Sequence, residues 1–445
     1  MKILFVSLGC DKNLVDSEKM LGMLQEKGYT FTDDEAEADV VVVNTCCFIG
    51  DAKEESINTL LQMGELKDSG QVKALIAAGC LAQRYREEIQ KEIPQVDAII
   101  GTTAIDEIVA ALEEILAGQK QNHYEDINAA PVTETNRVVT TGGHFAYLKI
   151  AEGCDKHCTY CIIPKLRGNY RSFPMERLVK EAEELAEQGV KELILVAQET
   201  TLYGTDLYGK KSLHLLLKEL CKIKGIRWIR VQYCYPEEIY DELIQTIKEE
   251  PKVCHYLDLP IQHASDRILK RMGRRTSQAD LRAIVAKLRE EIPDICLRTT
   301  LISGFPGETQ EDHEELMAFV DEMEFDRLGV FAYSPEEDTP AATMPDQIPE
   351  EVKEERRDEI MELQQEISFE KAEDMVGKSL WCMIEGKVAD EYAYVARTYK
   401  DAPGVDGYLF VQTLEELMSG DFVKVKVTGA DDYDLIGEID DESAE

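Results

Sequence analysis

Short apolar runs alternate with amphipathic segments through the first 118 residues. The amphipathic segments have a helical period. In the first of them Asp16 is predicted as the N-cap, Met20 and Leu24 share a face, and Gly28 ends the helix. The apolar runs show no polar alternation, which is typical of strands buried on both faces. The pattern predicts an open parallel α/β sheet in residues 1–118, with strands at 3–8, 40–43, 74–78 and 98–101.

A polar stretch at residues 119–143, closed by Gly142-Gly143, predicts a linker. The alternation then resumes, and six strand–helix units follow within residues 144–374. Six such units predict a partial (β/α)6 barrel, a class of fold whose chemistry gathers at the carboxyl ends of the strands. The predicted strands are 145–150, 193–196, 226–231, 256–260, 296–302 and 327–331.

The pattern changes to a period of two near the end of the chain. The stretch Phe-Val-Lys-Val-Lys-Val-Thr at 422–428 alternates strictly, and Gly and Asp turns separate it from other short strands. Five short strands predict a small β-barrel of the oligonucleotide-fold type in residues 375–445. We place them at 380–384, 392–396, 408–411, 422–428 and 434–439.

Charge narrows the class of partner. The chain has a formal net charge of −39, and residues 375–445 hold 6 Lys and Arg against 16 Asp and Glu. Proteins that grip a phosphate backbone normally present a basic surface. The composition therefore favours a basic protein partner over a nucleic acid.

Cysteine usage and hydropathy indicate the compartment. The 12 cysteines combine tight clusters with isolated positions, which suits metal ligands in a reducing cytoplasm better than a disulfide framework. The apolar stretch at 3–8 is too short for a signal core, and no run approaches the roughly 18 residues of a membrane span. We expect a cytoplasmic protein with no membrane association, and nothing demands more than a monomer.

Three cysteines carry the strongest chemical signal. Cys154, Cys158 and Cys161 have C-x3-C-x2-C spacing, and three thiolates hold three irons of a [4Fe–4S] cube while leaving the fourth iron open. An open iron that binds S-adenosylmethionine can pass it an electron and generate a radical. A zinc knuckle with His157 as the fourth ligand remains an alternative.

A second trio recurs in the first unit. Cys10, Cys46 and Cys80 each follow a predicted strand, so we expect them at the carboxyl edge of one sheet, where open α/β folds bind ligands. This placement predicts a second cluster with one open iron. Cys47 is expected to point elsewhere and not to be a ligand.

The order of units and four motifs resemble the methylthiotransferase family of radical S-adenosylmethionine enzymes over essentially the whole chain, and the last unit resembles the TRAM domain of that family. Within the family the motifs are most similar to the branch that modifies an aspartate of a small-subunit ribosomal protein; the tRNA branch tends to have Ser-Gly at 263–264, and Cys47 stands where glycine is expected. The motifs are Gly-Cys-Asp-Lys-Asn at 9–13, Cys-Cys-Phe-Ile at 46–49, Val-Ala-Gln-Glu-Thr at 196–200 and Pro-Ile-Gln-His-Ala-Ser at 260–265.

The resemblance implies two [4Fe–4S] clusters and S-adenosylmethionine as both radical source and methyl donor. The cluster on Cys154, Cys158 and Cys161 would cleave the cofactor to a radical that takes a hydrogen from the aspartate β-carbon. The cluster on the other trio would present sulfur to that carbon. The implied partners are a basic ribosomal protein, free or within the small ribosomal subunit, and an electron donor, with no direct tRNA substrate.

Other residues are candidate cofactor ligands, each with a simpler structural explanation. Tyr160 packs on the adenine or shields the cluster, and Gln198 bonds the cofactor or only ends a strand. Ser303 and Gly304 allow close approach of the nucleoside or form a plain turn. Arg167 and Arg171 pair with a carboxylate of cofactor or substrate, or are surface charges. Two other functions stay open: a tRNA adenosine methylthiotransferase, and an iron–sulfur carrier, although a carrier usually saturates its irons and needs no such barrel.

Overall fold

The computed structural model describes residues 1–131, 136–389 and 391–440. Its first unit is a parallel sheet with the strand order β2-β1-β3-β4-β5. The predicted open α/β sheet is confirmed. The sheet has one further strand, β2, which was not predicted because three residues are too few to show a pattern in the sequence. The elements are β1 (Lys2–Ser7), α1 (Asp11–Glu26), β2 (Thr30–Thr32), β3 (Val40–Thr45), α2 (Gly50–Asp68), β4 (Ala74–Ala78), α3 (Gly79–Tyr85), α4 (Glu87–Glu92), β5 (Ala98–Ile100) and α5 (Ile108–Leu116).

Both faces of this sheet are covered, which explains the unbroken apolar runs. Val41 and Val43 belong to one buried cluster, whereas Val40 and Val42 belong to the cluster on the opposite face. Successive residues of a strand point to opposite faces, so a strand covered on both sides needs apolar residues at every position.

The start of α1 corrects a prediction. The helix begins at Asp11 with Cys10 as its N-cap, so the predicted cap at Asp16 is wrong. Asp16 lies inside the helix and is 2% exposed, and its carboxylate binds Lys149 and Arg167 of the next unit. Those two distant cations satisfy the carboxylate in place of helix N–H groups.

The predicted linker packs against the first unit. His123 forms a parallel bridge with Ile100, and Arg137 binds Glu18 of α1. Residues 132–135 of this predicted linker, and residues 390 and 441–445 of the predicted terminal barrel, lie outside the described residues. The domain boundaries at 118, 143 and 374 stay predictions.

The central unit is a parallel sheet with the order β13-β12-β11-β10-β9-β6, so the predicted partial barrel is confirmed. A short antiparallel pair, β7 with β8, flanks the cysteine loop. The elements are β6 (Phe145–Lys149), β7 (Ala151–Glu152), α6 (Ile163–Arg167), β8 (Arg171–Ser172), α7 (Met175–Glu187), β9 (Glu192–Val196), α8 (Thr205–Tyr208), α9 (Leu213–Cys221), β10 (Trp228–Val231), α10 (Asp241–Glu249), β11 (Val253–Asp258), α11 (Asp266–Arg271), α12 (Gln278–Glu291), β12 (Cys296–Ser303), α13 (Gln310–Met323), β13 (Arg327–Ala332) and α14 (Glu350–Glu373).

The last unit is a closed barrel, as predicted, with the strand order β14-β15-β16-β18-β17. It docks on the central sheet: Trp228 of β10 meets Phe422 edge-on with ring centroids 4.8 Å apart, and both belong to an apolar cluster that also holds Met383. The strands are β14 (Ser379–Lys387), β15 (Ala393–Thr398), β16 (Leu409–Gln412), β17 (Phe422–Asp431) and β18 (Asp434–Ile439).

Buried ion pairs reinforce this docking. Glu192 of β9 accepts hydrogen bonds from Arg230 and from Arg397 of the terminal barrel, each at 2.8 Å, and all three side chains are fully buried. Asp401 of the barrel likewise binds Arg327 at 2.6 Å. Part of the acidic charge of the terminal barrel is therefore neutralised inside the molecule. Within the described ranges, no helix is both long and apolar enough to cross a membrane.

Candidate functional site

Cys10, Cys46 and Cys80, hereafter the N-terminal trio, lie at the carboxyl edge of the first sheet. They follow β1, β3 and β4, which are neighbours in the sheet, so the three loops are adjacent. Burial raises the pKa of the Cys46 thiol to about 12, and Cys80 and Cys10 act in the same direction because they lie close by. The structure therefore brings the predicted trio together, with Cys10 exposed and the other two buried.

Gly9 allows this approach. Its φ is +88°, and a Cβ at this position would lie 2.7 Å from the sulfur of Cys46. A side chain is excluded at that distance, so glycine is needed for the first and third strands to present their cysteines side by side.

Cys47, which follows Cys46 of the N-terminal trio, lies in the apolar interior. It is fully buried and belongs to an apolar cluster that also holds Leu60, Leu81 and Cys80 of the trio. Burial raises the pKa of its thiol, nearby Cys80 acts in the same direction, and the Arg84 guanidinium opposes them without cancelling the rise. The expectation that Cys47 points away from Cys46 and is not a ligand stays a prediction.

Cys154, Cys158 and Cys161, hereafter the loop trio, lie in the segment between β7 and α6. The loop is fixed by backbone hydrogen bonds: Cys154 N donates to Gly168 O at 3.1 Å, and Cys161 N donates to Cys158 O at 3.0 Å. Burial raises the pKa of the Cys154 thiol to about 12, and nearby Cys158 raises it further. The three cysteines thus lie together in one short loop that follows the first barrel strand, with Cys154 and Cys158 buried and Cys161 half-buried.

Both trios suit a cluster better than a single ion. A zinc ion needs all its ligands within about 2.0–2.3 Å of one point. Across residues 1–131, 136–389 and 391–440, no three His, Cys, Asp or Glu side chains converge in that way. A cube binds each thiolate through a different iron, which allows wider spacing. The six free thiols of the two trios, four of them buried, are a donor set that fits two such clusters.

A buried ion network joins the two trios. Arg167, the last residue of α6, donates to Asp16 at 2.6 Å and to Glu152 at 3.2 Å, and Lys149 binds the same two carboxylates. Glu152 lies two residues before Cys154. Burial alone would raise the pKa of Glu152, but Lys149 and Arg167 outweigh it and lower the pKa to about 2. The four charges balance, so the network holds the first unit against the barrel without a net buried charge.

Arg167 also reaches the N-terminal trio, and this contact was missed by sequence reasoning. Its Nη2 lies 3.4 Å from the sulfur of Cys80 and 3.0 Å from Oδ1 of Asn13. Arg167 is therefore buried rather than a surface charge, whereas Arg171 is half-buried and donates to the backbone carbonyls of Asn169 and Arg167. Their predicted pairing with a cofactor or substrate carboxylate stays a prediction.

The remaining candidates lie in the cysteine loop and at the end of β12. Tyr160, between Cys158 and Cys161 in the loop, meets Phe305 edge-on with ring centroids 6.5 Å apart, and its role at the adenine or as a shield of the cluster stays a prediction. Ser303 donates to the backbone carbonyl of Lys353 at 2.9 Å, and Gly304, with φ +69°, leaves room for the Lys353 side chain. These two residues pack against α14, and their predicted contact with a nucleoside stays a prediction.

Two unpartnered oxygens at the end of β9 point to a ligand. Gln198 donates to Glu152 at 3.1 Å, which leaves its own oxygen buried without a partner. Glu199 is fully buried; Thr201 binds one carboxylate oxygen, and the other has no partner. Burial raises the pKa of Glu199 to about 7. Sequence reasoning singled out Gln198 but missed Glu199, although a carboxylate directly after a buried strand was the available signal.

Family models match all three units. The "Uncharacterized protein family UPF0004" matches residues 2–101, the "Radical SAM superfamily" matches residues 148–320, and the "TRAM domain" matches residues 376–439. The two cysteine trios thus fall in the first and second of these matches.

Close relatives cover the whole chain. It is 64% identical over 437 residues to the ribosomal protein uS12 methylthiotransferase RimO of Lachnoclostridium phytofermentans, a match that covers 98% of this chain and 99% of the relative. It is 51% identical to the protein of the same name from Clostridioides difficile, with 99% of each covered.

Solved structures share the fold at low identity. The radical S-adenosylmethionine methyltransferase TsrM from Kitasatospora setae, with cobalamin and a [4Fe-4S] cluster bound, aligns with a TM-score of 0.54 and 14% identity over 76% of this chain and 73% of that one. The cobalamin-dependent radical enzyme OxsB aligns with a TM-score of 0.51 and 13% identity over 82% and 56% of the two chains. At such identities the likeness concerns the fold alone.

Proposed function

This chain belongs to the RimO family of ribosomal protein uS12 methylthiotransferases, and we propose on that premise that it places a methylthio group on the β-carbon of an aspartate in uS12. It is a radical S-adenosylmethionine enzyme. The observation that carries the proposal is the pair of cysteine trios, each at the carboxyl edge of its own sheet, joined by the Asp16–Arg167–Glu152 network.

The chemistry requires more than side chains supply. The β-carbon of an aspartate bears hydrogens of no useful acidity, so neither paired carboxylates nor a Ser–His nucleophile can activate it. When bound, a [4Fe–4S] cluster on each trio and S-adenosylmethionine supply a radical, a sulfur atom and a methyl group. We assign the radical cluster to the loop trio and the sulfur-donating cluster to the N-terminal trio.

The protein's own residues hold and orient the cofactor. S-adenosylmethionine carries an ammonium and a sulfonium, and Glu199 and Gln198 each have a buried oxygen without a partner. Glu199 lies near Cys154, and Gln198 bonds Glu152, two residues before that cysteine. A buried acceptor without a donor is unfavourable until a ligand provides one. We propose that these two residues bind the cationic end of the cofactor, and that Tyr160 covers the cluster.

The substrate follows from charge and from the family. The terminal barrel keeps an acidic surface beyond the carboxylates that it buries against the central sheet, which suits a basic ribosomal protein and repels tRNA. We propose that the enzyme acts in the cytoplasm as a monomer, on uS12 that is free or within the small subunit, with a separate electron donor. Neither the tRNA alternative nor the carrier alternative has support among the named relatives.

The test is methylthio incorporation into two substrates. Reconstituted enzyme with S-adenosylmethionine and a reductant is incubated with purified uS12 and, separately, with bulk tRNA, and both are analysed by mass spectrometry. We expect one methylthio group on a uS12 aspartate, none on tRNA, and loss of activity in Cys158→Ala but not in Cys221→Ala, a cysteine of α9 outside both trios. Incorporation into tRNA alone would refute the assignment of substrate.

A further inference from the structure

Arg167 links the radical loop to the other cysteine trio. It lies six residues after Cys161, at the end of α6, and its side chain is 2% exposed. It crosses the interface between the two units, and its Nη2 donates to the sulfur of Cys80 at 3.4 Å. A cation of one unit thus contacts a thiol that belongs to the other.

The guanidinium has little freedom to move. Its Nη1 binds Asp16 Oδ2 at 2.6 Å and Glu152 Oε2 at 3.2 Å, and its Nη2 binds Asn13 Oδ1 at 3.0 Å. Asp16 and Asn13 come from α1, which begins directly after Cys10, whereas Glu152 precedes the loop trio. The planar fork of arginine can hold all these partners at once, and a lysine ammonium cannot.

We propose that Arg167 is a positioning residue that donates an N–H···S hydrogen bond to the Cys80 thiolate and so raises the reduction potential of the N-terminal cluster. The inference rests on the proposed function, since it assumes that the N-terminal trio holds a cluster. Hydrogen bonds and positive charge at a ligand sulfur stabilise the reduced, more negative form of an iron–sulfur cluster. Because α6 belongs to the barrel, the radical-generating unit sets the electron affinity of the sulfur-donating centre.

A second arginine provides a matched comparison. Arg137 is also buried and also spans the interface, where it binds Glu18 of α1 at 2.7 Å and Glu181 of α7 at 3.0 Å. Its remaining contact is the backbone carbonyl of Tyr147 at 2.7 Å. Substituting Arg137 removes a buried interdomain cation of the same kind without touching a thiol of either trio.

The experiment isolates the N-terminal cluster in the full-length chain. Cys154→Ala, Cys158→Ala and Cys161→Ala are combined so that the N-terminal trio alone remains, and iron is counted after anaerobic reconstitution. Arg167→Met, Arg167→Lys and Arg137→Met are then introduced separately. The midpoint potential of each protein is measured by redox titration followed by electron paramagnetic resonance.

We expect the midpoint potential of the parent and that of Arg137→Met to agree with each other. The midpoint potential of Arg167→Met should be more negative than both. Arg167→Lys should also fall below the parent, because one ammonium cannot serve both Asp16 and Cys80; this variant decides the question if Arg167→Met loses its cluster. Unchanged potentials in both Arg167 variants, or an equal fall in Arg137→Met, would overturn the inference. A parent that binds no iron would instead refute the proposed second cluster.

Discussion

The buried carboxylate of Glu192 offers a quantitative test of how the terminal barrel is held. Glu192→Gln keeps the shape of the side chain and removes its charge. The amide keeps one acceptor oxygen and places an NH2 group where the other stood, so the two guanidinium groups share one neutral acceptor. Arg397 retains Glu385 at 2.7 Å, whereas the other hydrogen-bond acceptors of Arg230 are the backbone carbonyls of Thr398 and Tyr399. Removing one partner of a fully buried ion pair costs about 3–5 kcal/mol. The pair Arg282–Glu322 is 39% and 49% exposed, so Glu322→Gln should cost at most about 1 kcal/mol.

The two tryptophans make this interface observable. Trp228 is buried against Phe422 at the docking surface, whereas Trp381 is 50% exposed on the barrel. In a Trp381→Phe background, fluorescence reports on Trp228 alone during urea unfolding. We expect the free energy from the Trp228 transition to fall by about 3–5 kcal/mol in Glu192→Gln. A loss no larger than that of Glu322→Gln would refute the idea that the buried carboxylate holds the barrel in place.

Three further predictions concern the candidate site. Gly9→Ala places a methyl group against the Cys46 sulfur and should lower the iron content from about eight to about four per chain. The control Gly28→Ala, at a similar φ of +86° with open space around it, should keep all its iron. Equal iron in the two variants would contradict the close approach of Gly9 to Cys46. Iron and sulfide analysis should show the loss of the same four irons in Cys46→Ser and no loss in Cys47→Ser. Iron loss in Cys47→Ser would show that Cys47 is a ligand. Burial raises the pKa of Glu199 from 4.5 to about 7, so the folded state favours the neutral carboxyl group. The free energy of unfolding should therefore fall by about 3 kcal/mol as the pH rises from 4.5 to 7. Glu199→Gln should remove this pH dependence, measured by urea titrations at about pH 5 and about pH 8 without cofactor. An unchanged pH dependence in that variant would show that Glu199 does not titrate in this range.

The sequence predicted the features that depend on local pattern and strand order. The six cysteines could be grouped because each follows a strand or lies in one short loop, and parallel strands present their carboxyl ends at the same edge. Both sheets and the terminal barrel followed from the change of period along the chain. The three-residue β2 escaped because so short a strand has no measurable period.

The buried charges could not be predicted in the same way. Asp16 at the start of an apolar helical face resembles a cap, and only the fold shows that its partners are Lys149 and Arg167, more than 130 residues away. Glu192 and Arg397 likewise belong to different units, so neither reveals the docking of the barrel on its own. Long-range ion pairs depend on tertiary geometry and carry no local sequence period.

The most direct test of the central claim is an iron and sulfide count. The claim is that two separate trios of cysteines each hold a cluster. Wild-type protein, Cys10→Ala and Cys158→Ala are reconstituted anaerobically, with Cys221→Ala as a control outside both trios. The account predicts about eight irons in wild type and in the control, and about four in each of the other two variants. About four irons in wild type, or the loss of all iron from one substitution, would contradict it.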